Sequence, residues 1–477
     1  MYEYYENPLC TRYASEEMKR IFSRERKVRT WRRLWLLLAE NEQALGLPIT
    51  DEQLDELRAH LDDADMDAAA EYERRVRHDV MAELLAFGDQ CPKARPILHL
   101  GATSCYVGDN ADILNLRDAM DLIRDRLLNA IEALSVLAER YEATPALAYT
   151  HFQAAQPTTV GKRICLWISD LLFDLRQLDF QREELRPLGC KGTTGTGASF
   201  LALFDGDGEK AERLDQRIAE GLGFPRSVSV SGQTYSRKTD YAVVQVLSGI
   251  AQSTSKFAGD LRLLCHEKEL DEPAEPGQIG SSAMAYKRNP MRSERISSLA
   301  RYVICLSQNT AVTAASQWLE RSLDDSANRR LTLPEAFLAT DAVLCLTINV
   351  ARGLLVYPKV CERHLQEELP FMATENILMY CVKTKGLDRQ TLHERLRVHA
   401  REAAEQVKIY GRENDLLQRI REDDAFALSE TELQTLLDPG AFTGLAQQQC
   451  RRFLQEEIHP LLEANRDRLG MGVEINV

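Results

Sequence analysis

The stretch Gly280-Ser281-Ser282-Ala283-Met284-Ala285-Tyr286-Lys287-Arg288-Asn289-Pro290, followed by Arg292 and Arg295, sets hydroxyls beside a dense run of cations. A serine in that field can be stabilised as an alkoxide and act as a base, because nearby positive charge favours the ionised form. The same composition also suits a solvated turn ahead of the helix that follows Pro290. A second stretch, Thr150-His151-Phe152-Gln153-Ala154-Ala155-Gln156-Pro157-Thr158-Thr159, offers a histidine able to protonate a leaving group near neutral pH. A lone histidine at a helix boundary serves equally well as a cap.

Four further groups could hold an anion. His99-Leu100-Gly101-Ala102-Thr103-Ser104 puts small hydroxyl residues just before a helix, where side-chain and backbone donors meet a carboxylate or phosphate. Arg77-His78-Asp79 reads either as a part of such a site or as a surface charge cluster. Lys191-Gly192-Thr193-Thr194-Gly195-Thr196-Gly197 is rich in donors but lacks the spacing of a P-loop or a dinucleotide fingerprint. Arg321-Ser322-Leu323-Asp324-Asp325-Ser326-Ala327-Asn328-Arg329-Arg330 supplies arginine forks suited to oxyanions, with Ser326 between Arg321 and Arg330. The paired aspartates there are crowded by cations and have no histidine nearby, so they read as partners of the arginines rather than metal ligands. The sequence calls for no metal and no cofactor.

These groups need a scaffold, and its periodicity is helical. Ile113, Leu116, Met120, Ile123, Leu127, Ile131, Leu134 and Leu137 step by three and four, with no proline between Pro96 and Pro145. Proline-free helical stretches follow between Pro157 and Pro187, Pro225 and Pro273, and Pro290 and Pro334. Long helices in succession make a bundle, and the class is all-α. Strand signals are confined to Val228 and Val230, alternating with serines, and to the tail 472–477. Shorter helices flank the long ones, giving three domains: 1–111, a central 112–364 and 365–477.

The chain has 477 residues and a net charge of −14, which argues against nucleic acid or a polybasic membrane contact as a partner. Eleven scattered cysteines without zinc or disulfide spacing, and a first segment unlike a signal peptide, point to a reducing, cytoplasmic setting. The uncharged run from Tyr302 to Leu319 carries too many polar groups for lipid. It is better placed as the inner helix of a large bundle, covered by neighbouring subunits.

Taken together, the segments resemble the animal-type adenylosuccinate lyase branch of the fumarase/aspartase superfamily. The Gly-Ser-Ser-x-Met-x-x-Lys-x-Asn-Pro pattern at 280–290 is the superfamily signature, and its Tyr286-Lys287-Arg288 interior is similar to this branch. Matching segments run in order at 77–82, 99–110, 150–163, 191–200, 231–238, 321–330 and 368–377, within an overall resemblance from about 12 to 457. The resemblance implies a fumarase/aspartase-like three-domain fold with a central long-helix bundle. It implies β-elimination of fumarate from adenylosuccinate, giving AMP, and from succinylaminoimidazole carboxamide ribotide, giving the aminoimidazole carboxamide ribotide.

Position by position, the resemblance makes Ser281 the general base and His151 the general acid. Arg12 and Tyr13 match a phosphate-side pair, with Arg321, Ser326 and Arg330 in the same region. Arg77, His78 and Asp79 match another substrate-contacting segment, Thr103, Ser104 and Gln233 match succinyl-side contacts, and Arg295 matches a nucleotide contact. Lys287 and Asn289 belong to the signature loop, where Lys287 would hold a carboxylate and stabilise Ser281. The family also implies a homotetramer with each active site assembled from three subunits.

Three positions depart from the family pattern. Alanine replaces the usual proline at Ala285 and at Ala154, and Gly197 replaces a glutamine. Losing the proline at 285 raises the entropic cost of ordering the loop by roughly 0.4–1 kcal/mol. Other readings are a superfamily lyase for a different succinyl compound, a catalytically silent helical assembly protein, and a serine amidase using Ser281, Ser282 and Lys287. Arg12, Tyr13 and the 321–330 segment favour a phosphate-bearing substrate over the first, and the presence of both Ser281 and His151 weighs against the second.

Overall fold

The computed structural model describes residues 3–275, 277, 283–284 and 286–473. Long helices dominate it. In chain order, α1 (Arg24–Ala44), α2 (Met66–Val76) and α3 (Asp79–Gln90) precede α4 (Ser104–Arg140), whose 37 residues follow the predicted stripe. All eight apolar positions of that stripe are buried. Each buried leucine or isoleucine contributes roughly 1.5–3 kcal/mol, so packing rather than intrinsic propensity holds a helix of this length.

A hairpin of β1 (Pro145–Thr150) and β2 (Gln153–Thr159) links α4 to α5 (Val160–Glu183). Then come α6 (Lys238–His266), α7 (Met291–Ala315) and α8 (Asp324–Gly353). Short strands at Leu270–Asp271 and Leu355–Val356 pair across the ends of α6 and α8. Helices α4 to α8 share one hydrophobic core, with Leu171, Leu247, Phe257, Phe337 and Val343 at its centre. A second cluster gathers Trp31, Trp35, Phe87, Tyr106 and Phe200, and a third gathers Ile377, Leu396, Leu416 and Phe426. Cys450, Leu454 and Ile458, near the end of the chain, return to the central core.

Two expectations fail. Val228 and Val230 form no strand: Val228 gives its N–H to the Pro187 carbonyl, Val230 is exposed, and no neighbouring segment offers a ladder. Residues 472–473 are likewise not a strand, and 474–477 lie outside the described residues. The stretch between Pro290 and Pro334 is also not one helix. It breaks after Ala315 and restarts at Asp324, and α8 then runs straight through Pro334. Burial of the 332–351 side chains compensates for the backbone hydrogen bond that the proline removes.

By length and composition α8 could span a membrane, but 83% of its apolar window is buried inside the protein. Helix α7, whose second half from Tyr302 to Ala315 is uncharged, behaves differently. It packs on α6 and α8 along one side, and Tyr302, Cys305, Gln308 and Val312 stand exposed on the other.

Candidate active site

The anion-binding candidates from three distant segments meet at one end of the bundle. Helix α2 ends on Arg77 in the left-handed conformation (φ 55°), and the chain then turns extended at His78, the N-cap of α3. His78 Nδ1 accepts the Met81 N–H at 3.3 Å, and its Nε2 lies 3.2 Å from Ser104 Oγ in the first turn of α4. Thr103 caps α4 without spending its side chain on the helix, which leaves that hydroxyl available beside the backbone donors.

Asp79 ties this corner to two other helices. Its Oδ1 accepts the Val80 N–H at 2.8 Å, and its Oδ2 meets Arg330 of α8 at 2.8 Å and Lys27 of α1 at 3.6 Å. Burial pushes the Asp79 carboxyl up, but Lys27 and Arg330 outweigh it and hold it below the usual range. Behind the corner, Trp35 donates its indole N–H to His99 Nδ1 at 2.8 Å. Burial, with a smaller push from His78, lowers His99 to about 4 and keeps it neutral.

Gln233 closes the neighbouring wall. Its N–H bonds the Glu320 carbonyl at 3.0 Å, and its amide nitrogen reaches the Thr193 carbonyl at 3.1 Å. Here the loops 191–197 and 231–233 approach each other and residue 320 so closely that glycine is required. A Cβ on Gly195 would sit 1.9 Å from the Ser231 carbonyl oxygen, and one on Gly232 would sit 2.4 Å from that of Glu320. Gly197 has open space around it but adopts φ 67°, which glycine reaches without strain. Lys191 is engaged elsewhere, with Asp215 at 2.7 Å and Ser227 at 3.0 Å.

Arg321 is oriented by Asp325, 2.8 Å away. That fully buried carboxylate also takes Arg237 Nε at 2.6 Å, and Arg237 forks onto Asp109 at 3.0 and 3.2 Å. Burial raises the Asp325 carboxyl, yet Arg237 and Arg321 outweigh it and leave it below the usual range. Asp324 binds Gln317 and the Ser322 hydroxyl instead of an arginine. Ser326 lies half-buried one turn before Arg330. Arg12 and Tyr13 sit in the turn Leu9–Tyr13, docked along α8 by Asn7 on Glu335 (3.0 Å) and the Ser15 N–H on Asp341 (2.7 Å). Among the described residues no hydrogen bond joins Arg12 to the corner around Arg330.

The other candidates lie elsewhere. His151 is exposed at the tip of the β1–β2 hairpin, in a two-residue loop whose members His151 and Phe152 both have positive φ (53° and 57°). That hairpin follows the far end of α4, so about 55 Å of helix separates it from Ser104. The signature loop hangs from the far end of α6, beyond about 43 Å of helix from Gln233. Its base is clamped by Glu272, which accepts the N–H groups of Arg292 and Ser293 at 2.9 and 3.0 Å and the Ser293 hydroxyl at 3.1 Å. Lys287 is exposed, Asn289 is half-buried and Arg295 lies half-buried on α7. Ser281, Ser282 and Ala285 lie outside the described residues. Within one chain, therefore, His78, Asp79, Ser104, Gln233, Arg321 and Arg330 come together, while His151 and the described residues of the signature loop, 283–284 and 286–290, do not join them.

Sequence reasoning missed Lys27, Arg237, Asp109 and Glu272. Lys27 is hidden in a basic run that reads as a solvated helix face, although Trp31 one turn on is a signal for a stacked cation. A separate groove of about 840 Å³ runs between α1 and α4, but four of its five arginines are engaged: Arg26 and Arg117 on Asp118, Arg29 on Glu25, and Arg33 on Asp62. No group of three or more metal-ligating side chains occurs among the described residues.

Comparison with known proteins bears on the family and the fold. The family described as lyase matches residues 38–305, and that described as adenylosuccinate lyase C-terminus matches 370–453. The adenylosuccinate lyase of Saccharomyces cerevisiae is 50% identical over 480 residues, covering 100% of this chain and 99% of that protein. That of Schistosoma mansoni is 47% identical over 477 residues, covering 100% and 99%. Among solved structures, the 3-carboxy-cis,cis-muconate lactonizing enzyme from Pseudomonas putida superposes with a TM-score of 0.82 at 26% identity, over 94% of this chain and 99% of that one. A fumarate lyase from Mesorhizobium sp. BNC1 has the same fold, with a TM-score of 0.81 at 23% identity over 95% and 100%. The fold, both family matches and full-length relatives at this identity agree: the chain is a lyase and belongs to the adenylosuccinate lyase family.

Proposed function

We propose that the chain eliminates fumarate from adenylosuccinate, releasing AMP, and from succinylaminoimidazole carboxamide ribotide, releasing the aminoimidazole carboxamide ribotide. The observation that carries this reading is the convergence of Lys27, His78, Ser104, Gln233, Arg321 and Arg330 at one corner of a chain whose net charge is −14. Both substrates bring two carboxylates and a phosphate, and this corner is where the chain concentrates cations and hydroxyl donors.

In the proposed reaction Ser281, as alkoxide, removes a proton from the carbon next to a carboxylate. The electron pair left behind makes an aci-carboxylate, which fixed donors such as Ser104, Thr103, Lys287 and Asn289 stabilise. Collapse of that species breaks the C–N bond, and His151 supplies the proton that the departing nitrogen takes up. The proposal needs no cofactor. The roles of Ser281 and His151 rest on the family resemblance.

The site is proposed to form between chains of a homotetramer. Two features support this: helix lengths of about 43–55 Å keep His151 and the described residues of the signature loop from the anion corner of their own chain, and α7 exposes an uncharged face from Tyr302 to Val312. The domains are taken as 1–111, 112–364 and 365–477, and the setting as cytoplasmic. An absorbance assay with adenylosuccinate, run beside Ser281→Ala with AMP and fumarate identified by chromatography, tests the reaction. Turnover in the parent and its loss in the variant are expected; no turnover in a well-formed tetramer overturns the reading.

A further inference from the structure

Lys27 lies on α1, away from every segment the sequence motifs mark, yet its ammonium enters the anion corner. Its Nζ stands 4.4 Å from the centre of the Trp31 ring and 3.6 Å from Asp79 Oδ2. Trp31 is buried, so the stacked cation has a fixed seat. The same Asp79 oxygen takes Arg330 NH2 at 2.8 Å. One carboxylate thus serves two cations, and the triad keeps a net positive charge. Burial draws the Lys27 ammonium below the usual lysine range, while Asp79 pushes it back up and Arg330 pulls it down again. Asp112, the other carboxylate felt by Lys27, is held by Arg329 at 2.9 Å.

The balance of this triad decides what Arg330 can do. Its side chain is 59% exposed and touches Asp79 through a single NH2. If Asp79 faced Arg330 alone, the carboxylate would draw both arms of the guanidinium into a bidentate pair, the geometry such pairs favour. With Lys27 sharing the charge, part of the fork stays open on the exposed side of Arg330. We infer that Lys27 is a positioning residue for substrate binding: by sharing Asp79 with Arg330 it keeps the Arg330 guanidinium available to a phosphate oxygen of the ligand. The inference rests on the proposed lyase reading for the identity of that ligand.

A double-mutant cycle tests it, with Lys27→Met, Arg330→Met and the pair, read as KM against kcat for adenylosuccinate and as calorimetric affinity for AMP. Lys27→Met is expected to raise KM about tenfold and weaken AMP binding to match, with kcat changed less than about threefold, the split that marks lost ground-state binding. In the Arg330→Met background the same change is expected to move KM by less than about twofold, because the residue through which Lys27 acts is gone. Lys27→Arg retains the cation and is expected to restore most of the affinity. Additive effects would mean that Lys27 meets the ligand itself, and so overturn the inference. An unchanged KM in Lys27→Met does the same, as does a collapse of kcat and folding that arginine does not rescue. AMP binding needs no turnover. A protein that shows the coupling without cleaving adenylosuccinate would overturn the lyase reading and leave the role of Lys27 standing.

Discussion

The hydrogen bond between His78 and Ser104 has a fixed direction. The Met81 N–H can only donate, so His78 Nδ1 must accept it, and the ring hydrogen sits on Nε2 and is given to Ser104 Oγ, 3.2 Å away. Ser104 is thereby left with its own hydroxyl hydrogen to offer to an anion. His78→Asn retains an N-cap acceptor but cannot span to Ser104. It is expected to leave the melting temperature nearly unchanged while KM rises several-fold. His78→Ala also loses the cap and is expected to cost about 0.5–2 kcal/mol in addition. Thermal melts beside steady-state kinetics separate the two effects.

Gly195→Ala and Gly232→Ala place a methyl group where backbone carbonyls of Ser231 and Glu320 already stand. Backbone cannot rotate away as a side-chain tip can, so each variant is expected to lose roughly 1–3 kcal/mol or more. Activity should fall with it, because Gln233 and Arg321 are set by these loops. Gly197→Gln meets open space and is expected to cost only about 1–2 kcal/mol for its left-handed backbone and to stay active. Urea denaturation and turnover of the three variants give the comparison.

Glu42 is fully buried with both carboxylate oxygens unpartnered, and burial raises it to about 8. It lies near the equally buried Tyr106 and Cys190, whose own ionisation is suppressed. With its folded value above the unfolded one, its contribution to stability is fully present at acid pH and is lost as pH rises toward the folded value. Between pH 5.5 and 8 the parent is therefore expected to lose about 2–3 kcal/mol more than Glu42→Gln, which does not titrate. Denaturation midpoints across that range measure the difference.

Ser281→Ala and His151→Ala are each expected to lower turnover by orders of magnitude without unfolding the protein. If each site draws Ser281 and His151 from different chains, an equal mixture of the two variants, dissociated and reassembled at random, regains about a quarter of the parent activity. A silent mixture would place both residues in the same chain's contribution to the site.

Much of the scaffold was legible because burial follows helical period: every position of the stripe from Ile113 to Leu137 is buried in α4, although Arg126, Leu128 and Asn129, which the stripe leaves out, are buried beside it. The hairpin around His151 was not. A two-residue loop with positive φ at both positions usually announces itself with Asn-Gly or Asp-Gly, and here the positions are held by His151 and Phe152. The break between α7 and α8 was hidden for the opposite reason, since its signal, Pro334, falls inside the second helix. Within the site, motif residues were legible as types, but their pairing was not. Nothing in the spacing of Lys27, Asp79 and Arg330 announces that three separate helices bring them to one carboxylate oxygen.

The proline inside α8 also has a mechanical consequence. Proline has no N–H to offer the carbonyl four residues before it, and in α8 that carbonyl belongs to Arg330 itself. The helix is thereby divided into a polar head, which carries Ser326, Arg329 and Arg330, and an apolar shaft locked in the core. A missing rung lowers the stiffness of the joint between them, while Asp325 on Arg237 and Arg329 on Asp240 hold the head against its neighbours. Arg330 therefore sits like a fingertip on a braced digit, with the knuckle placed just behind it.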